Sequence, residues 1–421
     1  MNPIPVEVGV IGLWHLGLVT CAGLAAAGHR VVATDPDPKT VRRVASGELP
    51  VYEPGLAEAL AAGVEQGRIR IVSDLDELRG TDLAWVTVDT PMREDCSVDL
   101  TGIDTVVEDL ASVGPDTVLI SSQLPLGTTR RYRRVLNRHR TVAVGYLPEN
   151  LRLGSALADF ARDTPILVGT DDSAVVQAVS GLFEGREIRQ NRPESAELSK
   201  HATNSLLALT VTFANRIGDL ARQSGADAYE VEANLRADPR FGSRLPLKPG
   251  PAFSGGTLQR DLRSLSEVSI QHGLPTDWID QILTANDTRT ADLLAVAEPE
   301  SGWADHEVLL MGWVYKADTD STRDAPGTVW AELLTEAGAR VRVYEPVLDR
   351  LELAGLPNLS DLAEAVEGVH TVVTVRPATA PHHHITGLAA RAGVSTILDV
   401  WNEIPEGGHP FKLVTPGRRP S

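Results

Sequence analysis

The chain has 421 residues, two cysteines and a formal net charge of −18. That length exceeds what one hydrophobic core serves and predicts two or three domains. The negative balance argues against nucleic acid or an anionic membrane as the main partner, and two cysteines exclude a disulfide framework and fit a reducing cytoplasm. No signal-peptide pattern surrounds the first apolar strand, and no apolar run nears the ~18 residues of a membrane span.

Residues 6–11 are predicted as a strand, followed by Gly12-Leu-Trp-His-Leu-Gly17, an Ala/Leu-rich helix to Gly28, and a second strand ending at Asp35. Strand, glycine turn, helix, strand and acid in this order open a dinucleotide-binding βαβ unit. Gly12 makes the turn and Gly17 lets the helix pack on the strand. The helix start, with Trp14, His15 and Leu16, offers N–H groups to a pyrophosphate. Asp35 accepts from a ribose and repels a 2′-phosphate, which favours NAD over NADP. Trp14 stands where this fingerprint has its middle glycine. Either its ring swings away and the site survives, or the pyrophosphate loses room and a relic fold remains.

The alternation continues. Leu83-Ala-Trp-Val-Thr-Val-Asp-Thr-Pro91 and Thr117-Val-Leu-Ile-Ser-Ser-Gln-Leu-Pro-Leu-Gly127 are strands with polar ends, which carry Thr90 and Gln123. Open α/β sheets bind ligands at such ends. Residues 142–147 form a strand ending in Pro148-Glu149-Asn150, and 165–169 form the last strand of a parallel, doubly wound domain reaching about residue 190. Residues 197–223 carry apolar positions at helical spacing, long enough for a domain-spanning or dimerising helix. Lys200 and Asn204 are four apart and share a face.

Gly250-Pro-Ala-Phe-Ser-Gly-Gly-Thr-Leu-Gln-Arg-Asp261 precedes an apolar helical run at 262–268. Gly255 and Gly256 let backbone approach a ligand, while Thr257, Arg260 and Asp261 supply a hydroxyl, a cation and a carboxylate. A second, smaller α/β domain follows. It has strands at 308–312, 340–344, 370–375 and 396–400, and a charged loop at 316–324. The tail after Pro405 is expected to be loose. On a strand, the histidines of Pro381-His-His-His-Ile385 would face alternate sides, and nothing is spaced to complete a metal site. No Ser-His-Asp arrangement and no basic–aromatic stripe for nucleic acid is evident.

Together these pieces resemble the UDP-glucose/GDP-mannose dehydrogenase family over nearly the whole chain. The turn Val8-Gly-Val-Ile-Gly-Leu-Trp-His-Leu-Gly-Leu-Val-Thr with Asp35 is similar to its NAD fingerprint. Tyr52-Glu-Pro-Gly-Leu56 and Asp89-Thr-Pro91 resemble two more of its motifs. So do Leu147-Pro-Glu-Asn-Leu-Arg-Leu-Gly154 with Asp159-Phe160, and Glu197-Leu-Ser-Lys-His-Ala-Thr-Asn204. Pro239-Arg-Phe-Gly242, the loop at 250–261, and Tyr315-Lys-Ala-Asp-Thr-Asp-Ser-Thr-Arg-Asp324 complete the ordered set.

The resemblance implies two Rossmann-like doubly wound parallel-sheet domains joined by a central helical domain. Their ranges would be 1–192 for NAD, 193–300 for homodimerisation and 301–421 for the nucleotide (UDP) sugar. It implies NAD contacts at Gly12, Trp14, His15, Leu16, Gly17, Asp35, Thr90 and Arg323. Substrate contacts would be Glu149, Leu151, Lys200, Asn204, Arg240, Lys248, Gly255 and Lys316, with Arg240 reaching across the dimer. Catalytic positions would be Lys200, Asn204, Asp261, Glu149, Thr257 and Gln123. In the family, the C6 hydroxyl of a nucleoside-diphosphate hexose loses hydride twice. A cysteine thiolate adds to the intermediate aldehyde, and water cleaves the resulting thioester.

Here that cysteine is Thr257, a far poorer nucleophile near neutral pH. Neither Cys21 nor Cys96 is placed to replace it. Gln123 replaces a water-holding Thr, Leu153 replaces a second Glu, and Arg260 replaces a Lys. The expectation is one hydride transfer, or a returned hydride and net epimerisation. The alternatives are an inactive nucleotide-sugar-binding regulatory protein and the four-electron 6-dehydrogenase that yields a uronic acid.

Overall fold

The computed structural model describes residues 5–93, 98–241, 244–254, 256–314, 322, 325–348, 352–377 and 381–420. Packing groups the chain into two units, Met1–Thr203 with Arg263–Leu274, and Asn204–Leu262 with Pro275–Ser421.

The first unit runs through β1 (Glu7–Ile11), α1 (His15–Ala26), β2 (Arg30–Thr34), α2 (Pro38–Ala45), α3 (Leu56–Glu65), β3 (Ile69–Ile71), β4 (Leu83–Val86), α4 (Thr101–Val113), β5 (Thr117–Ile120), α5 (Thr128–Leu136), β6 (Ala143–Tyr146), α6 (Ala156–Phe160), β7 (Ile166–Gly169), α7 (Ser173–Leu182) and β8 (Ile188–Asn191). The sheet order is β3-β2-β1-β4-β5-β6-β7-β8, so the winding reverses between β1 and β4. The strands are parallel through β6. There β7 joins antiparallel and pairs parallel with β8. β8 goes beyond the strands expected at 165–169. Its residues Ile188-Arg-Gln-Asn191 are polar and partly exposed, so no apolar run announced it.

The continuous apolar strands follow from burial on both faces. In β4, Leu83 and Trp85 enter one core while Ala84 and Val86 enter the other. The Trp85 Nε1–H donates to Ser121 Oγ at 2.9 Å, and Ser121 Oγ donates to Leu147 O at 2.7 Å. The ring thus contributes on the order of 3 kcal/mol of apolar burial without stranding its polar tip.

The helices α8 (Pro193–Ser224), α9 (Ala228–Ala237), α10 (Thr257–Gln271) and α11 (Asp277–Ala297) follow. Pro193 opens α8, where a missing N–H costs nothing. α10 already begins at Thr257, so the apolar run expected from 262 is its second turn.

The rest of the second unit comprises β9 (Glu307–Met311), α12 (Pro326–Glu336), β10 (Arg340–Tyr344), β11 (Glu352–Leu353), β12 (Leu356–Pro357), α13 (Leu362–Val366), β13 (Thr371–Thr374), α14 (His382–Ala392), β14 (Thr396–Leu398) and β15 (Lys412–Val414). Its parallel sheet has the order β10-β9-β13-β14-β15. Two expectations change here. Pro381 is the N-cap of α14, so the three histidines wind into a helix rather than a strand. The tail is not wholly loose, because buried Leu413 and Val414 seat β15 against β14. Among the described residues, no helix is long and apolar enough to cross a membrane.

Candidate functional site

The glycine turn after β1 lies at the reversal of strand order. Gly12 has φ +109°, and its N–H donates to Thr34 O at 2.9 Å. A Cβ there would strike the Val88 backbone, and one on Gly17 would fall on the Gly12 carbonyl oxygen. This close approach demands glycine at both positions. Trp14 has φ −86°, extended backbone that any residue adopts, and its side chain is 41% exposed. The missing middle glycine therefore leaves the turn intact.

Asp35 Oδ2 accepts from Leu13 N at 2.7 Å and Oδ1 from Asp37 N at 2.8 Å. Burial pushes this carboxyl above its usual range, against the pull of those two bonds. Each oxygen keeps a further lone pair for a ribose hydroxyl. His15 begins α1 and reaches Glu53 Oε2 at 2.8 Å, and Leu16 O accepts from Thr20 Oγ1. Thr90 Oγ1 donates to Gln123 O at 2.9 Å, tying together the segments after β4 and β5. A tight turn, a helix start and an acid after the second strand form a cradle that fits a dinucleotide.

In the same unit, α8 grips two loops. Buried Glu197 accepts from Gly127 N, Thr129 N and Thr129 Oγ1 at 2.6–2.7 Å, which caps α5. His201 Nε2–H donates to Leu124 O at 2.8 Å. Lys200 Nζ donates to Glu149 O at 2.5 Å and Asn150 Oδ1 at 2.8 Å. Burial pushes the Glu149 carboxyl up to about 7, although the charges of Lys200 and Arg186 pull it down. Glu149, Leu151, Arg186 and Lys200 border a cavity of about 230 Å³.

In the second unit, Asn204 Nδ2 donates to Asp261, whose side chain is fully buried. Three polar side chains hold the loop before α10. Asn215 accepts from Gly250 N and donates to Pro251 O, and Arg289 Nε donates to Gly250 O. Asn286 accepts from Phe253 N at 2.8 Å and donates to Phe253 O at 3.0 Å, as a neighbouring strand would. Phe253, Ser254, Gly256, Gln259 and Asn286 line a cavity of about 490 Å³. Thr257 is exposed, and among the described residues none hydrogen-bonds its hydroxyl. Arg240 is exposed and ion-paired with Asp238, and Lys248 Nζ donates to Trp401 O at 2.5 Å. Gly255, Lys316, Arg323 and Cys96 lie outside the described residues.

Three family models match in chain order. All describe the UDP-glucose/GDP-mannose dehydrogenase family: its NAD binding domain over residues 6–186, its central domain over 194–288 and its UDP binding domain over 309–404. A UDP-glucose 6-dehydrogenase of Pseudomonas aeruginosa is 31% identical over 397 residues, 87% of this chain and 86% of its own length. The chain belongs to the UDP-glucose/GDP-mannose dehydrogenase family. A UDP-glucose 6-dehydrogenase of Rhizobium meliloti is 28% identical over 413 residues, 94% of this chain and 90% of its own. The solved UDP-glucose dehydrogenase of the archaeon Pyrobaculum islandicum superposes with a TM-score of 0.87 at 28% identity, covering 96% of this chain and 98% of its own.

Membership makes the chain an NAD-dependent oxidoreductase of the nucleotide-sugar dehydrogenase family, with NAD as its cofactor and a UDP-binding domain. Sequence reasoning passed over Glu53, Glu197, His201, Asn215, Asn286 and Arg289 as working residues. Glu53, Glu197 and His201 lay inside quoted motifs, and their spacing was the available signal. The other three sit in unremarkable helical sequence, and nothing local marks them.

Proposed function

We propose that this enzyme oxidises one CH–OH group of a nucleoside-diphosphate hexose to a carbonyl and stops there. Thr257 carries the reading. The route to an acid needs a covalent adduct on an activated nucleophile, and an exposed hydroxyl that no described residue hydrogen-bonds does not supply one near neutral pH. The groups for a single oxidation remain. Asp261 takes the hydroxyl proton, directly or through water, and Asn204 orients that carboxylate. Lys200, one turn before Asn204 on the same face of α8, stabilises negative charge on the reacting oxygen. Preorganised donors of this kind are worth roughly 3 kcal/mol.

Glu149, Leu151, Gly255, Lys248, Lys316 and Arg240 bind the sugar nucleotide, and Gln123 with Thr90 shapes the sheet end. Gly12, Trp14, His15, Leu16, Gly17, Asp35 and Arg323 hold NAD. Bound NAD supplies the acceptor for the hydride leaving the carbon. The products are a carbonyl sugar, NADH and one proton.

A homodimer belongs to this reading. Leu206, Leu209, Phe213 and Leu220 are exposed and fall along one stripe of α8, which a second copy would cover. A division near residues 192 and 300 agrees with the three matched ranges. A cytoplasmic setting agrees with NAD dependence and with a free, buried Cys21.

The test is purified protein with NAD and a panel of UDP- and GDP-hexoses, reading NADH absorbance and product mass together. One NADH per turnover with a sugar lighter by two hydrogens supports the proposal. An isomer without net NADH means the hydride returns. A uronic acid with two NADH overturns the reading of Thr257. Binding of both ligands without turnover favours a regulatory protein.

A further inference from the structure

Glu53 has no role in the reading above, yet it is nearly fully buried and its carboxylate is bonded from two directions. Oε2 accepts from the His15 ring at 2.8 Å and from Gly154 N at 2.7 Å, and Oε1 accepts from Ala156 N at 2.9 Å. His15 is the first residue of α1, the helix whose N-terminal turn would meet the cofactor pyrophosphate in the reading above. Gly154 and Ala156 close the segment that starts at Glu149, and Ala156 opens α6. The other side of that segment is braced by Asp159, which accepts from Arg152 N, Nε and Nη2.

Two of these bonds satisfy the start of α6, as any capping acid does. The third is different. Capping α6 does not require His15, and His15 begins the helix turn that the reading above assigns to NAD. Because His15 and Gly154 share one oxygen, a shift of the imidazole changes the bond to Gly154. Bonds of this kind reinforce one another where water is excluded.

We propose that Glu53 is a positioning residue that couples the cofactor turn to the Glu149 segment, so that NAD seated on α1 also orders the loop meeting the sugar. The proposal rests on the reading that this segment contacts substrate. Glu53→Gln keeps the volume but sets an NH2 group against one of the N–H donors. His15→Phe keeps a ring and removes the cofactor-side arm, and because His15 is also placed among the NAD contacts each variant is compared at saturating NAD.

Amide hydrogen exchange of the full chain tests the coupling, with NAD alone as the probe at concentrations saturating each variant. In the wild type, NAD is expected to slow exchange at Gly154 and Ala156. In His15→Phe that slowing, taken relative to the same variant without NAD, should shrink at least about fivefold. In Glu53→Gln the slowing should be lost and NAD affinity fall about tenfold, the size of one charge-assisted hydrogen bond. A merely structural Glu53 would instead raise exchange at both amides equally with and without NAD. Equal slowing by NAD in wild type and His15→Phe, or no slowing in the wild type, overturns the coupling. No sugar is needed, so a failure here is separate from a failure of the proposed reaction.

Discussion

Gly12 and Gly312 hold the same place in two sheets. Each follows the first strand of its domain with positive φ, +109° and +92°. Each donates its N–H to the last residue of the next strand, Thr34 O and Tyr344 O, both at 2.9 Å. An acid ends each second strand and accepts from the residue after the glycine, Asp35 from Leu13 at 2.7 Å and Glu345 from Trp313 at 2.8 Å. The difference lies in what else reaches the acid. Arg376, just past β13 where the second sheet reverses, pairs with Glu345 at 2.9 Å, and both side chains are almost wholly buried. Among the described residues, Asp35 accepts from backbone N–H groups alone, and burial pushes its carboxyl up. One scaffold thus yields an acid open to a ribose and an acid already satisfied from within. The next strand across decides which, by supplying a cation or not.

The largest effect that would break this comparison comes from Arg376→Met. Removing one partner of a buried pair leaves an uncompensated charge and is expected to cost about 3–5 kcal/mol of stability. Calorimetric melting reads the loss, and NAD affinity should be unchanged. A loss well under 1 kcal/mol would mean that the pair does not hold the second turn.

A pH titration sharpens the contrast through a third acid. Glu149 is raised to about 7 in the folded chain from an ordinary 4.5. Protonation is therefore favoured in the folded state. The associated stability is fully present below about 4.5 and is lost as pH rises to about 7, a change of at most about 3 kcal/mol. Urea melts across that window should show the decline in the wild type and a flatter profile in Glu149→Gln. Identical slopes would contradict the burial argument.

The smallest of these effects is at Asp35. Asp35→Ala should weaken NAD about tenfold, by loss of one charged acceptor, and narrow the gap to NADP. Fluorescence titration with both dinucleotides measures it. An unchanged preference would mean that the acid serves only the Leu13 backbone.

The βαβ opening was legible because its information is local. A strand, a glycine turn, a helix and an acid follow at short spacing, and spacing survives in the linear sequence. The Lys200–Asn204 pair was legible for the same reason, since four residues make about one helical turn. The reach of Glu53 was not. Its bond to Ala156 spans 103 residues, and a side chain accepting from a distant N–H leaves no trace in either segment's pattern. Asn286 lies 33 residues from the Phe253 backbone it holds, in an ordinary helix. Five strands were missed: β3, β11 and β12 are only two or three residues long, while sheet neighbours, not apolar runs, recruit the polar β8 and β15, which needs only two buried side chains.

The amino-acid sequence by itself determined, apart from the antiparallel entry of β7, the two α/β domains, the glycine turn at Gly12, the long helix and the ordered motifs that mark the family and its NAD. Each of these is written in spacing and in apolar period. Only the tertiary structure decided which buried acids are spent and which are available. The charge and reach of an acid are set by what folds against it: Arg376 on Glu345, two N–H groups on Asp35, and three donors on Glu53. These partners come from remote segments, and burial makes each of them count, because an unpaired charge away from water is costly.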